Sequence, residues 1–246
     1  MNTEAAKIFS QVILADKTVR IKLLGDSITH GVGGTGFKQN GAPITEGFAR
    51  NPDGYCWAKR FKEYMEARYN CTVTNNACTG TRVEFIIEHF NELVDEEDDI
   101  ILCTIGTNNR HQRFEWGERR TREQQLRLVY GYIVELYQKF AAHGKQVIFM
   151  ANVPACAKSE QDGADYWRIL HMSDIQDLYT KASLTHGFPL IRMYEKFKNY
   201  CELKSIPLED LFGDGLHPND RGYDVMFSLL LEELGIAECV VPNVSP

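Results

Sequence analysis

The sequence predicts an α/β fold, a parallel sheet with helices on both faces, and three observations carry that prediction. Short apolar runs alternate along the chain with segments whose apolar residues recur at three and four. One run, DIILCTI (99–105), is almost continuously apolar, as befits a strand covered on both faces. The loops after successive runs are polar and contain glycine, and parallel sheets bind ligands at the C-terminal ends of their strands. The 246 residues suffice for one such domain. We read 1–246 as a single unit with an extension before the first strand (about 1–18) and a short tail (about 236–246).

VRIKLL (19–24) reads as the first strand, followed by a long glycine-rich loop and a helix from Trp57 to Arg68. NCTVTN (70–75) is the second strand. It precedes a helix whose apolar positions are Val83, Ile86, Ile87, Phe90 and Val94. After the third strand, 99–105, a long helix buries Leu126, Val129, Ile133, Leu136, Tyr137 and Phe140 and ends near Gly144. QVIFMANV (146–153) is the fourth strand, a helix is expected from about Asp165 to Thr185, and FPLIRMY (188–194) is a short fifth strand. The last helix runs from about Asp220 to Leu234 with Gly235 placed to end it.

Composition narrows the function. The chain is 43% hydrophobic and 25% charged, as for a soluble globular protein, and carries a net charge of -7. That balance argues against a general binder of nucleic-acid backbones. No run of about 20 apolar residues predicts a membrane span. The N-terminal segment MNTEAAKIFSQVILADK is too acidic, and its apolar part too short, for a secretory signal. Seven cysteines are scattered without CxxC or His/Cys ligand spacing and read as reduced thiols of a cytoplasmic protein. Neither a metal nor a cofactor is expected, and nothing specifies an oligomeric state.

KLLGDSITHG (22–31) poses the functional question. An apolar run stops at Gly25 and gives way to Asp26, Ser27 and Thr29. Ser27 is either a helix cap or a nucleophile. It lacks the GxSxG context of the α/β-hydrolase elbow and would sit in a turn leaving strand one. A serine needs an imidazole to take its proton, and His217 is the best candidate. Asp214, three residues earlier, is within reach of its ring. Acyl transfer also needs donors for the developing oxyanion. The Ser27 and Gly80 N–H groups and the Asn108 amide can supply them. Singly, Gly80 reads equally as a turn residue, Asn108 as an Asx turn and Asp26 as a turn anchor. Together, four loops (GDS, NNACTG 75–80, GTNN 106–109 and DGLHPN 214–219) converge on one sheet edge. GVGGTG (31–36) has the letter spacing GxGxxG but not GxxxxGK[ST], and it follows the GDS turn instead of joining a strand directly to a helix, so it is not read as a phosphate loop.

These four blocks resemble those of the SGNH hydrolases, the GDSL esterase/lipase family, in family order from 25 to 219. The resemblance implies a flavodoxin-like three-layer α/β/α sandwich with a central parallel five-stranded sheet. It assigns the nucleophile to Ser27, orienter and base to Asp214 and His217, and the oxyanion hole to Ser27, Gly80 and Asn108. Asn109 stands where the family often has Asp, which should alter hydrogen bonding more than chemistry. Activities implied include carboxylester and thioester hydrolysis and the removal of acetyl groups from sugars.

The expected function is a serine esterase acting through an acyl-serine, on a small acyl group such as acetyl carried by a carbohydrate or other polar alcohol. A lysophospholipase, thioesterase or acyltransferase with the same triad is the alternative, and a non-catalytic carbohydrate-binding protein the alternative of another class. RHQRFEWGERRTR (110–122) places Arg110, Arg113 and Trp116 near the third block as candidate substrate contacts. The same stretch is equally readable as a solvated loop with Glu115, Glu118 and Glu123 as its counter-charges.

Overall fold

The computed structural model describes residues 3–112, 119–160 and 168–236. Five strands, β1 (Val19–Gly25), β2 (Cys71–Asn75), β3 (Ile100–Thr104), β4 (Gln146–Met150) and β5 (Leu190–Ile191), form one sheet in the order β2-β1-β3-β4-β5. All pairs are parallel, with Leu23 opposite Asn75 on one side and Leu102 on the other. The helices are α1 (Thr3–Ile13), α2 (Ser27–His30), α3 (Trp57–Arg68), α4 (Val83–Glu88), α5 (Phe90–Leu93), α6 (Arg122–Ala142), α7 (Ala157–Glu160), α8 (Met172–His186), α9 (Met193–Lys204) and α10 (Asp220–Leu234).

Alternation along the strands makes the three layers. Ile21, Leu23, Ile100, Leu102, Ile148 and Met150 point into a core shared with α1, α3, α9 and α10. Leu24, Ile101, Cys103, Val147 and Phe149 point to the opposite face, into a core with α4, α5, α6 and α8. Lys22 sits on that second face, wholly buried. It is accommodated by ion pairs to Asp95 at 2.6 Å and Asp98 at 3.2 Å.

The α3 and α10 boundaries match the expected ones, and Gly235 is the α10 C-cap. Elsewhere the structure differs. The segment expected as extension contains α1, whose Ala5, Phe9 and Val12 are buried at helical spacing. The helix expected across 83–94 is broken at His89 into α4 and α5. The helix expected from Asp165 starts at Met172, with 165–167 outside the described residues. The fifth strand is only two residues long. Met193, Phe197 and Cys201, spaced by four, turn the chain into α9 instead. Of the tail, 237–246 lies outside the described residues. The six described cysteines are free thiols, all buried.

Phe9 anchors α1 by packing edge-on against Phe61 of α3 with ring centroids 5.9 Å apart. Phe9→Ala should therefore lower the unfolding free energy by about 3–5 kcal/mol, measured by urea denaturation. A loss below 1 kcal/mol, roughly that of a surface substitution, would show that α1 is not part of the core.

Candidate active site

The loops after β1 and β3, and the loop before α10, meet at the C-terminal edge of the sheet. Gly25 ends β1 because a side chain there has no room. A Cβ would stand 2.7 Å from the Thr104 carbonyl of the neighbouring strand and closer still to the Thr29 hydroxyl. Asp26 then caps α2, its Oδ1 accepting from the Ile28 amide at 3.1 Å. The capping role being filled, the Ser27 hydroxyl is free for another partner. That partner is His217, whose Nε2 lies 2.8 Å from Ser27 Oγ.

His217 is held from behind. Its Nδ1 lies 2.7 Å from Asp214 Oδ2, while Asp214 Oδ1 accepts from the Leu216 and His217 amides at 2.9 and 2.8 Å. Partial burial pushes the Asp214 carboxyl up, but the hydrogen bonds from the His217 amide and ring and the Leu216 amide outweigh it. The carboxyl is left below its ordinary value. An ionised Asp214 fixes the proton on Nδ1, leaving the Nε2 lone pair aimed at the serine. The hairpin carrying both residues is closed by the Phe212–Pro218 bridge and by the Gly213 amide on the His217 carbonyl at 2.9 Å.

Among the described residues, neither the Ser27 nor the Gly80 N–H has an intramolecular acceptor. Gly80 is at φ +82°, a conformation that favours glycine, and a Cβ there would meet nothing within 4 Å. Gly80 itself is exposed. Asn108 donates one of its amide hydrogens to the Thr81 carbonyl at 2.9 Å, which fixes the side chain and leaves the second hydrogen available. Asn109 turns the other way, bonding Glu84 at 2.7 Å and the Val83 amide at 3.0 Å, a structural role.

The glycine-rich run 31–36 also finds its place here. Gly33, at φ +93°, packs so tightly that a Cβ would lie 2.5 Å from the Pro218 carbonyl and 3.1 Å from His217 Cβ. It is a backbone rest for the histidine hairpin.

One expectation is corrected. Arg110 is only 2% exposed and does not present a free cation to substrate. Its Nε donates to the Thr107 carbonyl and its guanidinium pairs with Glu160 at 2.5 Å, because a buried guanidinium requires such partners. Arg113 and Trp116 lie outside the described residues.

Two groups beneath the site were not singled out from sequence. Asn152, just past β4, donates to Asp26 Oδ2 at 3.0 Å and to the Thr107 hydroxyl. His30 of α2 bonds Thr79, next to Gly80. Asn152 is a single polar residue in an apolar stretch, His30 lies inside the GDSITHG block without a motif position of its own, and the partners of both are distant in the chain. Among the described residues, no group of three or more His, Cys, Asp or Glu side chains could hold a metal ion, and no helix is long and apolar enough to cross a membrane.

Comparison with known proteins places the chain in a family and the fold among known ones. The profile of the GDSL-like Lipase/Acylhydrolase family matches residues 23–225. No curated protein sequence matches the chain. Among solved structures, the acetylxylan esterase Axe2 from Geobacillus stearothermophilus superposes with a TM-score of 0.65 at 17% identity, covering 90% of this chain and 96% of its own. LAE5, an alpha/beta hydrolase enzyme from the metagenome of Lake Arreo, Spain, superposes with a TM-score of 0.65 at 19% identity, covering 91% and 98%. The fold is that of these hydrolases, and with more than three quarters of its length matched by the family profile, the chain belongs to the GDSL-like lipase/acylhydrolase family and is a carboxylic ester hydrolase.

Proposed function

We propose that the protein is a serine esterase in which Ser27, His217 and Asp214 form the catalytic triad, and that it removes a small acyl group such as acetyl from a carbohydrate or other polar alcohol. The observation that carries the proposal is the continuous relay from Ser27 Oγ through the His217 ring to Asp214, with links of 2.8 and 2.7 Å.

In the first half-reaction His217 Nε2 takes the Ser27 proton as Oγ attacks the ester carbonyl. The carbonyl oxygen becomes an oxyanion, met by the N–H groups of Ser27 and Gly80 and the free amide hydrogen of Asn108. Each such donor is worth about 3 kcal/mol of transition-state stabilisation. The intermediate collapses as the imidazolium gives its proton to the leaving alcohol, and the acyl group stays on Ser27. Water then enters, loses a proton to His217 and attacks the acyl-serine. The acid leaves as Ser27 recovers its proton.

The substrate class rests on the polar loops at the sheet edge and on the exposed Gly80, where an added Cβ would meet nothing within 4 Å. It also agrees with the acetylxylan esterase among the structural neighbours.

Asp26 has a different part. It is wholly buried and receives hydrogen bonds from the Ile28 amide and the Asn152 side chain, so it anchors the turn rather than moving protons.

Ser27→Ala should lower kcat for p-nitrophenyl acetate by about 10³-fold or more, and Asp214→Asn by about 10²-fold or more, with both proteins folded by circular dichroism. Equal rates for wild type and Ser27→Ala would remove Ser27 from the mechanism. The acyl preference is read from the acetate-to-butyrate ratio of kcat/KM, which should favour acetate.

Asp26 gives a pH prediction. Burial pushes its carboxyl up, more than the hydrogen bonds from Thr107 and the Ile28 amide pull it down. The native protein then holds this proton more firmly than the unfolded chain does. Stability conferred by the protonated form is lost as pH rises from the ordinary Asp value through the raised one. Asp26→Asn cannot ionise and escapes that loss. Its urea midpoint should rise relative to wild type as the pH is raised above the ordinary Asp value of about 4; a constant or shrinking difference contradicts the assignment.

A further inference from the structure

His30 lies three residues after Ser27 on α2 and is wholly buried, yet the mechanism above makes no use of it. Its Nδ1 accepts a hydrogen bond from the Thr79 amide at 3.1 Å and lies 3.0 Å from the Thr79 hydroxyl. A ring nitrogen that accepts from a backbone N–H carries no proton, so the imidazole is neutral with its hydrogen on Nε2. Burial lowers the His30 pKa and favours the same neutral ring.

A residue needed only for bulk would not be a histidine. Nε2 is buried without a hydrogen-bond partner, and the Phe37 ring packs against the imidazole at 5.2 Å with an interplanar angle of 83°. An apolar side chain would fill this place without an unpaired N–H. What an apolar side chain cannot do is hold the Thr79 amide.

Thr79 precedes Gly80, and the rest of their loop is tied down on either side. The Cys78 amide donates to the Gly25 carbonyl at 3.2 Å, and the Thr81 carbonyl accepts from Asn108. Between those two points Gly80 is exposed, free of contacts at its missing Cβ and conformationally permissive. His30 is the side chain that reaches into this gap. Because it shares the four-residue α2 with Ser27, it couples the serine to the glycine loop through one rigid turn.

We infer that His30 is a positioning residue for the oxyanion hole: by holding Thr79 through Nδ1 it fixes the peptide that presents the Gly80 N–H. The inference rests on the reading of Gly80 as an oxyanion donor. His30 touches neither the ester nor the reacting atoms, and its effect passes through Thr79.

The test compares His30→Asn with His30→Gln. The Asn Oδ1 can stand where Nδ1 stands and accept from Thr79, whereas the longer Gln carries its acceptor past that point. With p-nitrophenyl acetate, His30→Asn should keep kcat within about threefold of wild type. His30→Gln should lose about ten- to a hundredfold in kcat with KM within about threefold, since a misplaced donor weakens binding of the transition state and not of the ester. Melting temperatures of the two variants are measured alongside. Equal kcat in the two variants overturns the inference, as does a loss in both that follows a common fall in melting temperature. Wild type and Ser27→Ala run in the same assay separate the two readings. If they are equally active, the serine-esterase reading fails and this inference falls with it. If Ser27→Ala is inactive while His30→Gln is no slower than His30→Asn, only the positioning role fails.

Discussion

The hydrogen bond from Ser27 to His217 joins side chains 190 positions apart, and much of the structure above the sheet serves to keep it at 2.8 Å. Ser27 is fixed first, by the end of β1 and the Asp26 cap. His217 must then be brought from the far end of the chain, on a hairpin leading into α10. That hairpin is held on several sides: by the Gly215 carbonyl on the Cys156 amide at 2.8 Å, by Gly33 beneath the histidine backbone, and by Thr35. The Thr35 amide and hydroxyl both donate to Asp220, the first residue of α10, at 2.7 Å. Tyr223 on the same helix donates to the Val32 carbonyl at 2.6 Å. In the proposed mechanism Ser27 and His217 are the reacting pair, and a shift of about an ångström between them would be costly to rate, which is a physical reason for restraint so far from the serine.

Below the serine the protein buries polar groups that an apolar core would exclude. Asp26 is met by Asn152 and Thr107, and the Thr107 carbonyl is in turn met by Arg110, whose guanidinium reaches Glu160. Glu160 also receives the His171 ring at 2.7 Å and the Met172 amide at 3.2 Å. Removing Glu160 would leave the Arg110 guanidinium buried without its counter-charge, and removing Arg110 would take a counter-charge from the half-buried Glu160, so this part of the network is held by mutual need rather than by the strength of each link. It stitches the ends of β1, β3 and β4 to α7 and α8. These are the elements that must keep register for the loops above to meet. Lys22 with Asp95 and Asp98 does the same lower on that face of the sheet.

What could be read in advance follows from this division. Long amphipathic helices announce themselves, so α3 and α10 were legible to the residue, and the four polar blocks pointed to one edge. The Asp214–His217 pairing was legible because it is local, three residues apart. Helix α1 is hidden in the sequence although Ala5, Phe9 and Val12 have helical spacing, because it precedes the first strand and lies outside the alternation of strand and helix that marks the others. Helix α9 was missed because FPLIRMY reads as strand until the spacing of Phe197 and Cys201 is included. His30 and Asn152 left no trace at all. Each acquires meaning only from a partner, 49 positions away for His30 and 126 for Asn152. Arg110 misled for the same reason: its charge is visible in the sequence and its burial against Glu160 is not.

The long loop between α2 and α3 draws these strands together. It rests on the histidine hairpin through Gly33 and Thr35, packs Phe37 against His30, accepts the Cys78 thiol on the Gly41 carbonyl at 3.8 Å, and bonds β2 through Asn51 and Asn75. Arg50 reaches Asp95 at 3.0 Å, the same carboxylate that pairs with Lys22. One loop thus touches the hairpin that carries His217, the ring that holds Thr79 and the edge strand. On the proposed mechanism, sequence change within it would alter the serine–histidine geometry against the Gly80 loop without replacing any group assigned to meet the ester. In a family whose blocks are shared, a connection of this kind is where one member can differ from another in rate and substrate fit while its chemistry stays the same.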